Sequence, residues 1–388
     1  MTNDAKFSIE SKLPAVKTTI FATMSALAQQ HQAINLGQGF PDFACDPSLI
    51  EQVHNAMLAG HNQYPLMPGS LSLRLAIADK VSALYRTDYQ VDSEVTVTAG
   101  ATQAIMTCIL ACVHAGDEVI VIEPAYDSYV PTIQLVGAQP VLVAMRFSNG
   151  QFTIDWDQIK SKISAKTRLI IINSPHNPTG MCWQTRDLEA LAEITRDSKI
   201  LILSDEVYEH MVFDGEPHLS LASHPELAQR SFIISSFGKT YHVTGWKIAY
   251  VLAPKALTAE FRKVHQFNVF TVNSAMQVGI ASYMQNSNAH LQLPDFYQEK
   301  RDYFRRGLAH TKFRLLPVSG TYFQCVDYSA ISNDSELDFA SWLTQEIGVA
   351  AIPVSAFYQD ATQNNLVRFC FAKSKETLDL ALERLAKI

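Results

Sequence analysis

Short apolar runs alternate with helical patterns through the middle of the chain. Apolar, β-branched runs predict strands, and amphipathic patterns predict helices between several of them. We expect strands at 95–98, 118–122, 141–143, 168–172, 200–203, 232–235 and 248–252, and helices at 102–114, 128–137, 155–163 and 186–197. Because continuous apolar strands must be covered on both faces, this order predicts an α/β fold with a mostly parallel seven-stranded sheet and helices on both faces.

The pattern changes after residue 255, where helices and strands mix without regular alternation. Helices are expected at 256–267, 274–286, 294–310, 336–347 and 375–387, and strands at 322–326, 349–353 and 366–371. This mixture predicts a smaller α+β domain. We therefore expect an N-terminal segment over 1–40 that packs with the small domain, a large domain over 41–285 and a small C-terminal domain over 286–388.

Composition and charge exclude several classes of protein. The chain has 388 residues, of which 47% are hydrophobic, and its net charge of −7 offers no basic surface for nucleic acid. No apolar run is long enough to span a membrane, and the polar start is followed by no signal segment, so we expect a cytoplasmic protein. The six cysteines form no Cys-x-x-Cys pair, which predicts reduced thiols and no metal site.

Lys239 is the most informative single residue. It closes the sequence SFGK at 236–239, directly after the predicted strand at 232–235. Burial disfavours the charge of a lysine and lowers its pKa, so a lysine at the end of a buried strand is costly unless chemistry needs a neutral amine. Such an amine can form a Schiff base with a carbonyl compound. Most lysines are solvated surface groups, so Lys239 needs support from elsewhere in the chain.

Other polar residues also follow predicted strands. Asp205 follows the strand at 200–203 and precedes Tyr208 by three positions, and Asn177 follows the strand at 168–172. In open parallel sheets, ligands bind beyond the carboxyl ends of the strands. A lysine-bound pyridoxal phosphate needs an acid for its ring nitrogen and donors for its phenolic oxygen, which these residues would supply. A helix cap for Asp205 and a simple tight turn at Asn177 remain open alternatives.

Further candidates are ambiguous one by one. The turn at 100–102 could offer amide groups to a phosphate at a helix N-terminus, or it could be an ordinary strand–helix turn. Tyr126 could stack on a planar ring or simply pack. Ser236 and Lys247 are candidates for phosphate binding. Arg368, between apolar neighbours, could bind a carboxylate through two hydrogen bonds or could face water at a sheet edge.

Taken together, these motifs resemble those of class I aminotransferases, which are pyridoxal-phosphate enzymes of fold type I. The resemblance covers nearly the whole chain. Within the family, the chain is most similar to the methionine and kynurenine (glutamine-type) subgroup. Its motifs are NLGQGFPD at 35–42, NQY at 62–64, AGAT at 99–102, HNPTG at 176–180, SDEVY at 204–208, SFGK at 236–239 and Arg368. The resemblance implies an aminotransferase that works by a ping-pong cycle.

The resemblance implies pyridoxal 5′-phosphate as the cofactor. Lys239 would form the Schiff base and carry protons, Asp205 would pair with the ring nitrogen, and Tyr208 would complete the catalytic set. The other cofactor contacts that it implies are Asn177 beside Tyr208 at the phenolic oxygen, Tyr126 stacked on the ring, Ala101, Thr102, Ser236 and Lys247 at the phosphate, and Tyr64 of a second copy of the chain, also at the phosphate.

The resemblance further implies small-molecule substrates, an amino acid and a 2-oxo acid. Arg368 would bind the substrate α-carboxylate, with Asn177 and the backbone of Gly37 nearby. It also implies a homodimer whose active sites lie at the subunit interface.

The chain departs from the pattern of some family members. Aspartate-type enzymes carry an arginine for an acidic side chain, and residues 265–273 contain none. They also carry arginine in place of Lys247, and kynurenine-type enzymes often carry tryptophan in place of Phe21. We therefore expect an apolar or aromatic donor, methionine-like and with kynurenine or glutamine as further candidates. Phe21, Tyr64 and Phe270 would line its side-chain pocket.

Three other functions are weaker candidates. A cysteine-conjugate or cystathionine β-lyase would use the same scaffold, and the sequence separates the two poorly. A non-catalytic regulator that binds pyridoxal phosphate would normally carry a DNA-binding segment, and this acidic chain begins directly with family sequence. A nicotinamide dehydrogenase is disfavoured because no predicted strand leads into Gly-x-Gly-x-x-Gly.

Overall fold

The computed structural model describes residues 9–360 and 362–388. In chain order, its strands are β1 Ile34–Asn35, β2 Val95–Thr98, β3 Glu118–Glu123, β4 Gln139–Ala144, β5 Arg146–Ser148, β6 Gln151–Thr153, β7 Thr167–Asn173, β8 Leu201–Asp205, β9 Ser231–Ser236, β10 Ala249–Leu252, β11 Arg314–Leu315, β12 Phe323–Asp327, β13 Val349–Ala350, β14 Ile352–Pro353 and β15 Leu366–Cys370.

The helices occupy both halves of the chain. In order, they are α1 Ile20–Gln30, α2 Pro47–Leu58, α3 Leu71–Tyr85, α4 Val91–Glu94, α5 Ala101–Cys112, α6 Tyr129–Leu135, α7 Trp156–Lys162, α8 Thr185–Thr195, α9 Pro225–Ala228, α10 Phe237–Thr240, α11 Lys255–Asn268, α12 Ser274–Asn286, α13 Ala289–Leu308, α14 Glu336–Trp342 and α15 Lys375–Leu385. None of the described helices is long and apolar enough to cross a membrane.

The central sheet has the strand order β2-β10-β9-β8-β7-β3-β4. Its strands are the seven that the apolar runs predict, and all neighbours except those of β10 pair in parallel. β10 runs antiparallel to both β2 and β9. Every residue of β2, β9 and β10 is buried, as expected for strands covered on both faces. The predicted α/β fold is confirmed.

A second sheet forms in the C-terminal part of the chain, with the order β11-β12-β15-β14 and antiparallel pairing throughout. The N-terminal strand β1 pairs in parallel with β13, with Ile34 opposite Val349. The N-terminal segment therefore contacts the C-terminal part. The domain boundaries at residues 40 and 285 remain predictions.

The structure contains several elements that the sequence patterns did not predict. α1, α2, α3 and the β5–β6 hairpin were not predicted, and the strand expected at 349–353 is two short strands in different sheets. α3 shows why. It buries Arg74 and Lys80 together with Leu73, Ile77 and Val81, so charged residues interrupt its apolar stripe.

Lys80 forms a buried salt bridge with the carboxylate of Glu209. Lys80 Nζ lies 2.6 Å from Glu209 Oε1, and both side chains are almost completely buried. Tyr85, Tyr250 and Ser235 donate hydroxyl hydrogen bonds to the same carboxylate. Burial alone would raise the pKa of Glu209, but the charge of Lys80 and the hydrogen bonds from Lys80 and Ser235 hold it well below its usual range. The network ties α3 to the ends of β8, β9 and β10.

Replacement of Lys80 by methionine should leave Glu209 as an uncompensated buried charge. We expect a loss of about 3–5 kcal/mol in the free energy of unfolding. Lys263→Met is the matched control, because Lys263 pairs with Glu260 on the surface of α11 and its loss should change stability by less than about 0.5 kcal/mol. Urea-induced unfolding measures both variants, and equal losses would contradict the assigned role of the buried pair.

Candidate active site

A cavity of about 210 Å³ opens at the carboxyl ends of the central strands. Strands β7, β8 and β9 each end at its wall, with Asn173, Asp205 and Ser236 as their last residues. Its other lining residues are Gly100, Ala101, Thr102, Ile105, Tyr126, Asn177, Val207, Tyr208, Gly238, Lys239, Thr244 and Lys247. Most of the residues singled out in the sequence thus lie around one cavity, although they come from widely separated parts of the chain.

Lys239 lies on α10, a single turn that follows β9 directly. Its Nζ donates a hydrogen bond to Tyr322 Oη at 2.7 Å and another to the Gly39 carbonyl at 3.2 Å. The rings of Tyr208 and Tyr322 lie 5.4 and 5.3 Å from Nζ. Desolvation lowers the pKa of Lys239 to about 8, so a large share of the amine is neutral in mildly alkaline solution.

Asp205 lies at the end of β8, and only 4% of its surface is exposed. Its carboxylate accepts a hydrogen bond from Tyr129 Oη at 2.7 Å and a longer one from the Val207 amide at 3.3 Å. Desolvation raises the pKa of Asp205 to about 6 in spite of these donors. No helix begins at Asp205, so the helix-cap alternative is wrong.

Arg368 lies in β15, an inner strand of the second sheet, and is 1% exposed. Its Nη1 donates to Asn177 Oδ1 at 2.6 Å and its Nη2 to the Gly37 carbonyl at 2.9 Å. Within the described residues, its Nε has no hydrogen-bond partner and its guanidinium forms no salt bridge. The alternative of a water-facing edge arginine is therefore wrong, and no carboxylate of the described residues lies within salt-bridge distance of this buried cation, although its charge acts on the carboxyl group of Asp127.

Aromatic rings surround the Arg368 guanidinium. Its central carbon lies 3.8 Å from the ring centre of Phe323, 5.0 Å from that of Phe357 and 5.5 Å from that of Phe21. Phe21 and Phe357 also meet edge to face, with ring centres 5.9 Å apart. A ligand bound to Arg368 would therefore have apolar neighbours.

Arg368 does not itself line the cavity but contacts its wall residue Asn177, whereas the end of the cavity at Gly100 can hold an anion. Helix α5 begins there at Ala101 and presents its N-terminal amide groups, and Ser236 and Lys247 also line this end. Gly100 has φ of +83°, and a Cβ on it would lie 2.8 Å from Lys247 Cε. Only glycine permits both the turn and the close approach of the lysine.

Tyr126 also lines the cavity. Its Oη lies 3.5 Å from Thr102 Oγ1, and its ring meets that of Tyr129 edge to face. Burial raises the pKa of Tyr126, so its hydroxyl stays protonated near neutral pH.

Tyr64 and Phe270 do not line this cavity in their own chain. Tyr64 is 79% exposed, and its ring contacts that of Phe270 with the centres 5.1 Å apart. Tyr64 belongs to a separate surface groove formed by residues 61–65 and 271–275 together with Met57. Their expected contributions to the site remain predictions.

Three residues of the site were missed by the sequence reasoning as functional groups. Tyr129 and Tyr322 each lie in apolar surroundings that predict packing, and Gly39 counted only as part of the NLGQGFPD motif. A hydroxyl at the edge of an apolar run is the single signal that could have marked the two tyrosines, and many packed tyrosines share it.

Comparisons with known proteins identify the family. The model of the family "Aminotransferase class I and II" matches residues 31–385. A methionine aminotransferase of Escherichia coli is 47% identical over the full length of both chains, and a mouse kynurenine–oxoglutarate transaminase 1 is 32% identical over 96% of each. The solved structure of an N-succinyldiaminopimelate aminotransferase from Mycobacterium tuberculosis has a TM-score of 0.94 at 40% identity, and the match covers 98% of this chain and 100% of that one.

Asp205→Asn should stabilise the ligand-free chain at pH 8. Folding raises the pKa of Asp205 from its ordinary value near 4 to about 6. The folded chain therefore loses stability as pH rises from about 4 to 6 and the buried carboxyl group ionises. Two pKa units correspond to about 3 kcal/mol, which is the upper limit of the gain. Asparagine can still accept the Tyr129 hydrogen bond.

Urea-induced unfolding at pH 8 and pH 5 measures this gain, which should shrink at the lower pH. Asp79→Asn, at an exposed position of α3, is the control and should show no such pH-dependent gain. A stability loss for Asp205→Asn at pH 8 would contradict the expected cost of the buried carboxylate.

Proposed function

The chain belongs to the class I and II aminotransferases, and we propose that it transfers the amino group of an apolar or aromatic L-amino acid to a 2-oxo acid with pyridoxal 5′-phosphate. Membership confirms the family and the enzyme class predicted from the motifs. The observation that carries the substrate class is Arg368, a buried cation with aromatic neighbours and no salt bridge among the described residues.

The cavity fits pyridoxal phosphate in the chemistry of its walls. Asp205 is a buried carboxylate suited to a pyridinium N–H, and the N-terminus of α5 with Lys247 is suited to a phosphate. When bound, the cofactor supplies an aldehyde that combines with amines and a ring that takes up electrons released at the substrate Cα. The residues that would hold it are Lys239 at the aldehyde, Asp205 at the ring nitrogen, Asn177 and Tyr208 at the phenolic oxygen, Tyr126 on the ring face, and Ala101, Thr102, Ser236 and Lys247 at the phosphate, with Tyr64 of a second copy.

Asn177 is suited to two contacts at once. Its Oδ1 already accepts from Arg368, so its Nδ2 can donate to an oxygen atom in the cavity. Arg368 has five N–H groups and uses two of them on Asn177 and Gly37, which leaves three for an α-carboxylate. Asn177 would thus contact both the arginine that binds the substrate carboxylate and the phenolic oxygen of the cofactor.

Lys239 acts as the proton carrier. Its lowered pKa makes the neutral amine available near pH 8, and the neutral amine can take the proton that the substrate Cα releases. The resulting ammonium then returns that proton as an acid. Asp205 is ionised above about pH 6 in the ligand-free chain, and its negative charge would favour protonation of the cofactor's ring nitrogen.

The side chain of the donor is proposed to be apolar or aromatic. Phe21, Phe323 and Phe357 lie around the carboxylate-binding arginine, and residues 265–273 provide no arginine for a second carboxylate. The methionine aminotransferase of Escherichia coli shares 47% identity with the chain, which supports a methionine-like donor. Kynurenine and glutamine are further candidates.

A homodimer with sites at the interface is also proposed. Large apolar residues are exposed near the groove beside Tyr64, and a second copy would cover them. They are Met57, Leu58, Tyr64, Leu66, Phe267 and Phe270. This arrangement would let Tyr64 and Phe270 reach the cavity of the partner.

A β-lyase on the same scaffold is the second candidate, since Lys239 could equally move the Cα proton of a cysteine conjugate. Product analysis separates the two reactions. Transamination consumes a 2-oxo acid acceptor for each donor, whereas β-elimination releases pyruvate and ammonia without any acceptor.

Lys239→Ala should abolish multiple turnover, with a loss of at least about a thousandfold in kcat, because Lys247, the other lysine that lines the cavity, is assigned to the phosphate. Cofactor should still bind, since the proposed ring and phosphate contacts remain. Steady-state assays with methionine and a 2-oxo acid measure the first expectation, and cofactor content after gel filtration measures the second. Lys263→Ala, on the surface of α11, is the control, and turnover near that of the unmodified enzyme in Lys239→Ala would show that the lysine is misassigned.

Methionine and phenylalanine should be better donors than aspartate by roughly a hundredfold or more in kcat/KM, because a second carboxylate would be buried without a partner. Half-reactions with each donor, followed through the visible absorbance of the bound cofactor, give these constants. The same screen should include an N-succinylated diamino acid, because the N-succinyldiaminopimelate aminotransferase of Mycobacterium tuberculosis is 40% identical to the chain. An aspartate value equal to that of methionine would refute the apolar pocket.

Arg368→Ala should depress all α-amino acids together, since they share the α-carboxylate. The matched test substrate is 3-(methylthio)propylamine, which is methionine without its carboxylate, and its slow reaction should be nearly unaffected. An equal loss for amine and amino acid would mean that Arg368 acts on the structure and not on the carboxylate.

A further inference from the structure

Tyr322 contacts Lys239 but has no part in the function proposed above. Its side chain is fully buried, and its hydroxyl donates to the Gly39 carbonyl at 2.5 Å. Lys239 Nζ donates both to Tyr322 Oη and to the same carbonyl. The three groups therefore contact one another around one amine, and the hydroxyl of Tyr208 is also within reach of that of Tyr322. A hydroxyl that only needed a partner would be satisfied by Gly39 alone.

The backbone at Gly39 is fitted to this arrangement. A Cβ at Gly39 would lie 2.8 Å from Phe323 Cζ, so any side chain there would force the buried ring of Phe323 to shift. The approach brings the Gly39 carbonyl from a distant part of the sequence to the amine of Lys239.

The donors and acceptors can be counted. The single proton of Tyr322 goes to the Gly39 carbonyl, so toward Lys239 the phenol oxygen can only accept. Burial raises the pKa of Tyr322 well above its usual value, so the phenol keeps that proton. A neutral amine has two N–H groups and one lone pair. Two acceptors use both N–H groups, and the lone pair must then point away from Tyr322 and Gly39.

We propose that Tyr322 is a positioning residue, whose hydroxyl oxygen, together with the Gly39 carbonyl, holds both N–H groups of the neutral Lys239 amine and directs its lone pair into the cavity. This rests on the proposed role of Lys239 as the proton carrier. The proton taken from the substrate Cα becomes the third N–H of the ammonium, and the other two N–H groups stay on their acceptors throughout. No other bond changes at Tyr322.

The proposal predicts a change in the basicity of Lys239. An acceptor stabilises an ammonium more than an amine, so its loss should lower the pKa of Lys239 further below about 8. The other groups that act on this amine stay in place when only the Tyr322 hydroxyl is removed. They are Asp205 on β8, Lys247 before β10, Arg368 and Cys370 on β15, and the ring of Tyr208.

The test variant is Tyr322→Phe, which removes one oxygen atom. The matched control is Tyr297→Phe. Tyr297 is fully buried and its ring centre lies 5.7 Å from that of Tyr322, but its hydroxyl has no hydrogen-bond partner in the described part of the chain. Both variants lose the same atom from one aromatic cluster, and circular dichroism checks that both fold.

The first measurement needs no catalysis. Acetic anhydride labels neutral amines, and peptide mass spectrometry of the cofactor-free chain gives the pH midpoint for labelling at Lys239. We expect this midpoint to fall by about 1 pH unit in Tyr322→Phe, as for the loss of one hydrogen bond to a charged group, and to stay unchanged in Tyr297→Phe.

The second measurement uses the cofactor-loaded enzyme. In Tyr322→Phe, kcat should fall by about ten- to a hundredfold, while KM for the donor changes by less than about threefold. An α-deuterated donor should show a larger isotope effect, because proton removal becomes more rate-limiting.

Each outcome decides something separate. Identical behaviour of Tyr322→Phe and Tyr297→Phe would overturn the proposal, and so would a shifted midpoint with unchanged kcat. If the unmodified enzyme transfers no amino groups, the proposed function fails, but the labelling midpoints still show whether Tyr322 holds the amine. A lowered midpoint together with a selective fall in kcat supports the positioning role.

Discussion

Desolvation of charge is the constraint on which the site depends. Arg368 and Asp205 are buried and Lys239 is partly buried, yet none of the three forms a salt bridge within the described residues. Isolated charges in an apolar setting are expensive. The cost appears in the pKa values, which burial lowers to about 8 for Lys239 and raises to about 6 for Asp205. The proposed ligands, with a pyridinium N–H at Asp205 and a carboxylate at Arg368, would supply the charges that these two groups lack.

The buried charge of Glu209, next to the site, is compensated within the fold. Glu209 has a cation and three hydroxyl donors, so its charge is fully compensated within the fold. Its network includes Ser235, one residue before Ser236 at the cavity, and Glu209 itself follows Tyr208. The paired network thus holds the chain directly beside groups that are left unpaired. Rigid support of this kind is what unpaired charges require in order to stay in place.

The sequence predicts the central sheet and most of the cavity because both depend on local patterns. Seven apolar runs become seven strands, and polar residues at their ends must meet at one edge because parallel strands end there. It does not predict the direction of β10, since an apolar strand reads the same way in both directions. It also misses Tyr129 and Tyr322, because nothing local distinguishes a tyrosine that holds a functional group from one that packs. Arg368 is intermediate: the residue type suggests a carboxylate, but its burial depends on β12 and β14 on either side.

Arg368 also connects the two larger sheets of the described structure. It lies on the second sheet, but it binds Asn177 from the loop after β7 of the central sheet, and Gly37 from the N-terminal segment. A carboxylate bound by Arg368 would therefore depend on three segments that are far apart in the sequence. Lys239 repeats the pattern, since it lies on α10 directly after β9 of the central sheet, but its amine is held by Tyr322 and Gly39. The proposed base and the proposed carboxylate anchor thus both depend on contacts between the sheets. A displacement of one sheet relative to the other would move the base and the anchor apart, so fixing that relation is a physical requirement of the chemistry.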